Sequence, residues 1–138
     1  MSKNTEGALV TLILNLQSKI QKRIGNELSI HGIGLSEYRV LSQLYVSTNK
    51  KLRRSDLAEL VGLSPSGVTR LLNPMEKIGL IAKEENPRDA RVSLVTLSKT
   101  GMQIFEEARI SFENASETLF EPLSKKQLKE FSDLLNAC

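Results

Sequence analysis

Cysteine is all but absent from this chain of 138 residues, and the only one is the last residue, Cys138. No internal disulfide, CxxC pair or cysteine-based metal site can therefore be built. Cys138 itself reads either as an idle terminal thiol or as an intermolecular redox bridge. Histidine is as scarce, with His31 alone beside Gly32. A lone histidine in a turn between helices reads as a solvated surface group, and the closely spaced partners that a metal or catalytic centre needs are missing. There is no glycine-rich phosphate loop either. No enzyme, metal or cofactor is expected.

Long apolar runs are also lacking. None approaches the length of a bilayer span, and Met1 to Gly7 is polar, with no basic start leading into an apolar secretory core. A cytoplasmic protein with no membrane partner is the expectation. Internal repeats and low-complexity stretches are missing as well. The remaining composition, 40% hydrophobic and 25% charged, is ordinary for a folded protein, and the length suits one domain spanning 1–138.

Helical periodicity dominates what is present. Between Ala8 and Leu28 the residues Leu9, Leu12, Ile13, Leu16, Ile20 and Ile24 recur at steps of three and four, which marks one face of a long helix. Gly32 and Gly34 end it. Ser36 is then a candidate N-cap for a helix whose apolar side is Tyr38, Val40, Leu41 and Leu44, closed by a loop over Ser47 to Lys51. Ser55 is a candidate cap for a short helix that Gly62 stops. Ser64-Pro65 opens another within three residues, with Val68, Leu71, Leu72 and Met75 on one side. Two short helices joined this tightly cannot lie side by side, so they form a helix-turn-helix.

After Gly79, the strand candidates are Leu80 to Lys83 and Val92 to Leu97, joined through Asn86-Pro87-Arg88-Asp89-Ala90. This hairpin is a wing. Adjacent Leu94 and Val95 break the alternation of the second strand, so the pattern does not decide which of its faces is buried. Ser98 caps a long helix ending before Pro122, along which Phe105, Ala108, Phe112, Ala115 and Leu119 form a heptad seam. Ser124 and Gln127 have capping-box form and start a last helix with Leu128, Phe131 and Leu135 on one face.

The net charge of +3 and pI near 9.1 mean little unless the cations cluster. They do: residues 50–91 carry nine Lys or Arg against six acids, whereas 92–138 carry five against seven. The surplus sits on the helix-turn-helix and wing, which points to double-stranded DNA. Lys51, Arg53 and Arg54 are candidate phosphate contacts, although such a run is as easily a solvated face. In a helix-turn-helix the front of the second helix faces base edges, which makes Ser64, Ser66, Thr69 and Arg70 the candidate readers. Among them, Arg70 alone can grip a guanine with two parallel bonds, worth about 1–3 kcal/mol of discrimination. The plainer alternatives make Ser64 a cap and Arg70 a surface ion-pair partner. Arg88 and Arg91 at the wing suit the narrow, electronegative minor groove or else decorate a solvated hairpin, with Asp89 stabilising the turn or pairing with an arginine.

From Leu35 to Gly101 the chain resembles the multiple-antibiotic-resistance regulator (MarR) family of winged helix-turn-helix transcription factors. The resemblance is carried by Leu35-Ser36 with Arg39-Val40-Leu41, Asp56-Leu57-Ala58, Leu63-Ser64 through Val68-Thr69-Arg70-Leu71-Leu72, and Glu76-Lys77-x-Gly79-Leu80-Ile81. Its most specific part is Asp89-x-Arg91-x-x-x-Val95-x-Leu97-Ser98-x-x-Gly101. It implies a mainly α fold with a small β-hairpin wing, in which residues 1–34 and 98–138 are dimerisation helices around a DNA-binding lobe at 35–97. It further implies a homodimeric repressor on an inverted repeat, relieved by a small ligand, often an anionic aromatic. The apolar faces of both terminal segments independently support the dimer. For the ligand pocket that the family places between dimerisation helices and DNA-binding lobe, Ile13, Tyr38 and Arg39 are candidate lining residues, with ordinary packing or surface roles as the alternative.

Two departures from the family pattern stand out. Pro74 lies inside the recognition helix, where it removes a bond to the Arg70 carbonyl and is expected to kink or loosen the last turn. The first long helix has no cysteine, which disfavours peroxide sensing. Outside this family, the rival is a winged-helix module that binds another protein without reading bases.

Overall fold

A computed structural model describes residues 4–138, so Met1 to Lys3 of the polar start lie outside the described residues. Helix α1 (Thr5–Ser29) starts three residues ahead of its apolar pattern because Asn4 caps it, its Oδ1 accepting from the Gly7 amide at 2.7 Å. Only Ile24 and Leu28 of this helix are fully buried, and its front half leaves Leu9, Leu12 and Ile13 in solvent.

Helix α2 (Leu35–Val46) begins one residue before the expected cap. Gly34 is its N-cap, and the Glu37 carboxylate reaches back to accept from the Gly34 amide at 2.9 Å, so Ser36 lies inside the helix. Leu35 packs against the core, which draws the helix start toward it. Tyr38, Val40, Leu41 and Leu44 form the buried face, as the spacing predicts.

The loop expected over Ser47 to Lys51 leads, at its last residue, into a strand that the pattern did not show. Lys51–Arg53 is β1, which pairs antiparallel with β3 (Asp89–Leu97), itself paired with β2 (Ile81–Asn86), for a sheet order of β1-β3-β2. Helix α3 (Arg54–Val61) follows β1 directly, with Arg53 as its N-cap, so Ser55 lies inside the helix. Gly62, at φ +70, ends α3 in the left-handed conformation that favours glycine. Ser64 then accepts from the Gly67 amide at 3.1 Å, and Pro65 opens α4 (Pro65–Lys77). Pro74, expected to kink or loosen the last turn, lies within the continuous helix α4. Its ring is exposed, Met75 beside it is buried, and the helix continues to Lys77.

The hairpin is longer and tighter than the alternation suggests. Asn86 pairs with Asp89, which leaves Pro87 and Arg88 as the turn, and a register shift falls between Glu85 and Asn86. The Asn86 side chain accepts from the Arg88 amide at 2.9 Å, a local bond that closes the turn. On β3, Val95 and Leu97 are buried while Val92 and Leu94 are half-buried, which settles the face that the sequence left open.

Helix α5 (Lys99–Leu119) is capped by Ser98, which accepts from the Gly101 amide at 2.9 Å and lies 2.6 Å from the Gly79 carbonyl oxygen. Gly101 is required by close approach, since a Cβ there would stand 2.1 Å from the Leu80 carbonyl oxygen. Much of the seam of α5 is covered by its own chain. Phe105 and Ala108 are buried, and Tyr38 stacks on Phe112 with ring centroids 4.5 Å apart. Helix α6 (Lys125–Asn136) has the reciprocal Ser124–Gln127 box but buries none of its residues.

Candidate nucleic-acid interface

The turn Gly62-Leu63-Ser64 sets α4 at an angle to α3, and the buried Val68, Leu72 and Met75 anchor α4 from beneath. Its front is thereby turned outward. Ser64, Ser66 and Arg70 are exposed. The Arg70 side chain has no ion-pair or hydrogen-bond partner among the described residues, so its whole guanidinium fork is available to a ligand. Ser64 serves as the cap, with its hydroxyl also 3.3 Å from that of Ser66.

Thr69 differs from its neighbours. It is half-buried, donates to the Pro65 carbonyl at 2.9 Å and accepts from Arg54 Nη2 at 2.6 Å. Arg54, expected among the phosphate contacts, is accordingly folded inward onto α4. Arg53 is exposed and grips Asp56 through two bonds of 3.0 and 3.2 Å, which raise the pKa of its guanidinium through hydrogen bonding first and charge second. Lys51 pairs with Glu84 at 3.1 Å.

At the wing, Arg88 is exposed at the turn, its side chain unpartnered among the described residues. Arg91 is 91% exposed and pairs with Asp89, Nε to Oδ1 at 3.1 Å and Nη2 to Oδ2 at 3.3 Å. The Arg91 amide also donates to Asp89 Oδ1 at 3.0 Å. These interactions, the side-chain ones first, hold the Asp89 carboxyl below its usual range. Asp89 therefore both shapes the turn and orients Arg91.

A hollow of about 590 Å³ lies between α3, the start of α4 and β3, and Arg53, Arg54, Thr69 and Arg91 all contribute to its lining over an apolar floor that includes Leu63 and Val68. The structure thus brings recognition helix, α3 and wing together around one concavity. Sequence reasoning passed over Asn73, which is exposed one turn beyond Arg70 and receives Lys83 Nζ from the wing at 3.5 Å. Its spacing of 66, 70 and 73 on an outward helical face was the available signal.

The three candidate pocket residues are not brought together. Tyr38 is buried between Phe105 and Phe112, and burial pushes its hydroxyl up to about 12, with Glu113 adding to the shift and Arg109 opposing it. Arg39 donates to the Val61 and Leu60 carbonyls at 3.1 and 3.4 Å, which caps the C-terminal end of α3. Ile13 is on the open half of α1. A second cavity, of about 420 Å³ between α1 and α5, includes Arg23, Glu27 and Asn114, but none of those three. His31 also departs from expectation: it is half-buried, with Nε2 2.8 Å from the Ser111 hydroxyl, and so ties the end of α1 to α5. No helix among the described residues is long and apolar enough to cross a membrane.

Comparison with known proteins gives a consistent result. The model of the MarR family matches residues 33–93. The HTH-type transcriptional regulator PapX of Escherichia coli is 26% identical over 140 residues, which cover 94% of this chain and 85% of PapX. The transcriptional repressor MprA of Escherichia coli is 27% identical over 127 residues, covering 90% and 72% respectively. In fold, Sco3205, a MarR family transcriptional regulator from Streptomyces coelicolor solved in complex with DNA, superimposes with a TM-score of 0.88 at 20% identity, over 99% of this chain and 88% of that one.

Proposed function

We propose that this chain is a transcriptional regulator of the MarR kind, whose family model matches residues 33–93, and that it acts as a homodimeric, sequence-specific repressor of inverted-repeat DNA. Base edges are read by the exposed front of α4, and the groove and phosphates are held by the wing and by β1 and its junction with α3. The observation that carries this is the convergence of Arg53, Arg54 and Arg91 on one hollow that Thr69 of α4 also lines, with Arg70, next along that helix, exposed and unpartnered among the described residues. Phosphates that meet these cations release their own counterions, which favours a duplex there.

The dimer is supported by apolar surface that the single chain leaves in water: Leu9, Leu12 and Ile13 on α1, and Leu128, Leu134 and Leu135 on α6. A second copy laying the same residues against these covers both faces by one symmetric contact. Repression accords with the name of the relative MprA, and relief by a small anionic or aromatic ligand rests on the family resemblance.

Selection of bound fragments from genomic DNA, followed by sequencing, tests the proposal, with a shared inverted repeat as the expected result. Titration of that operator at several salt concentrations then measures how many phosphates the protein neutralises. Four cations from each subunit neutralise about eight, which gives a log–log slope of affinity against salt near −7. A slope near zero, with no enriched repeat, instead supports a protein-binding winged helix. That rival draws on the acids already paired with Lys51, Arg53 and Arg91.

A further inference from the structure

Arg54 is the first residue of α3, where the partial positive charge of a helix start makes a cation unfavourable. Its guanidinium nevertheless stays close to the protein. Nη2 makes a short bond of 2.6 Å to Thr69 across the turn, fifteen residues along the chain, while Nε is buried and has no partner among the described residues. A charged side chain held in this way, incompletely satisfied, calls for an explanation, and the geometry it enforces supplies one. The geometry in question is the angle between α3 and α4. The Thr69 proton goes to the Pro65 carbonyl in the first turn of α4, and a lone pair of the same oxygen accepts from Arg54 Nη2. Arg54, Thr69 and Pro65 therefore form a single brace running from the start of α3 to the start of the recognition helix.

We infer that Arg54 is a positioning residue for base readout, acting through Thr69 to set how α4 leaves the turn, so that the side chains left to meet base edges are Ser66, Arg70 and Asn73. This rests on the DNA-binding function proposed above and reassigns two of its residues. Thr69, its hydroxyl engaged on both sides, holds the helix, and Arg54 serves the angle of the helix more than it serves a phosphate.

The two roles of Arg54 differ in what salt and sequence do. Removal of a phosphate-binding cation weakens every duplex alike and flattens the salt slope, whereas removal of a positioning bond blurs the choice between duplexes and leaves the slope as it was. The experiment uses the full chain, the operator selected by the parent protein, and a duplex of the same length with shuffled sequence. Arg54→Met and the near-isosteric Thr69→Val are each expected to lower the operator-to-shuffled affinity ratio on the order of tenfold, with an unchanged slope. The double variant is expected to match either single one, because both break the same brace. Thr69→Ser, which keeps the hydroxyl, retains the parent ratio.

Uniform weakening with a flatter slope for Arg54→Met overturns the inference, and so does a parent-like ratio for Thr69→Val or a double variant that multiplies the two single losses. If Arg54→Met does not fold, the Thr69 pair decides by itself. A parent protein with no preference for any duplex refutes the DNA-binding function itself, before a variant is made.

Discussion

Arg70 and Arg91 carry the same charge in different surroundings, and under the proposed function the difference sets what each would do on DNA. Arg70 rises from the anchored recognition helix with its fork free, the geometry for two parallel bonds to a guanine. Arg91 is held by Asp89 on a hairpin and presents its charge to whatever backbone passes. Arg70→Ala is accordingly expected to lose about 1–3 kcal/mol of discrimination at one base-pair position, measured by competition between operators that differ there. Arg91→Ala is expected to weaken operator and shuffled DNA alike and to flatten the salt slope by about 0.9 for each phosphate left without its cation. If the two variants have interchangeable profiles, the division between reading and holding is wrong. Tyr38 yields a prediction about stability. Burial raises its hydroxyl to about 12 in the folded chain, against about 10 when unfolded. The unfolded chain thus loses its proton first as pH rises, so the stability associated with Tyr38 is whole below about pH 10 and falls between about 10 and 12. Tyr38→Phe removes that decline. Denaturant unfolding at about pH 8.5 and about pH 10.5 is expected to show the variant gaining on the parent at the higher pH, toward a limit on the order of 2 kcal/mol. A gap that does not change with pH would count against the buried-hydroxyl account. Residue types at the site were legible in the sequence, but partners were not. Nothing local to Thr69 signals that an arginine fifteen positions earlier takes its hydroxyl, because that bond exists only once α3 and α4 have folded against each other.

Among the elements, α4 combines a strong start with an unusual end. Ser64 and Pro65 fix its first turn, whereas Pro74 deprives the Arg70 carbonyl of its helical donor near the last. Packing of Met75 beside it keeps the helix intact regardless. Pro74→Ala restores that amide at an exposed position, and stability is expected to rise by about 1 kcal/mol, since part of the gain is offset by a more flexible unfolded chain. A thermal midpoint raised by about 4 °C, with operator affinity little changed, is the expected result. A lowered midpoint means that the proline ring packs better than its exposure indicates. Caps were the most legible feature of the elements, because a serine with a free amide three residues on is a local device: Ser64, Ser98 and Ser124 all act as read. Ser36 and Ser55 misled for a nonlocal reason. The start of α2 is drawn back by the packing of Leu35, and α3 begins where β1 releases the chain at Arg53. Strand β1 itself was hidden, since three residues carry no alternation and it exists only because β3 offers it an edge.

At the scale of the whole molecule, the proposed function needs two recognition helices, and the exposed apolar faces of α1 and α6 are the surface through which a second copy would supply the other. In the proposed dimer, joined there by a two-fold axis, two copies of α4 and two wings face the same side of a duplex, with half-site centres about 34 Å apart, one helical turn. The seam of α5 contributes less to that union than its heptad pattern suggests, because Tyr38 and its own core already occupy Phe105 and Phe112. In the proposed dimer the pairing therefore falls to the ends of the chain. Leu12→Glu combined with Leu135→Glu is expected to give a monomer by sedimentation and to reduce operator binding to that of an isolated half-site. DNA offers the complementary test. Inserting about five base pairs between half-sites turns one of them by about half a turn, onto the far side of the duplex, where a rigid pair of lobes reaches only one. Titration of the lengthened operator is then expected to give the affinity of the half-site. Undiminished affinity would show that the two lobes bind as separate bodies, and the terminal helices would have to be assigned a different task.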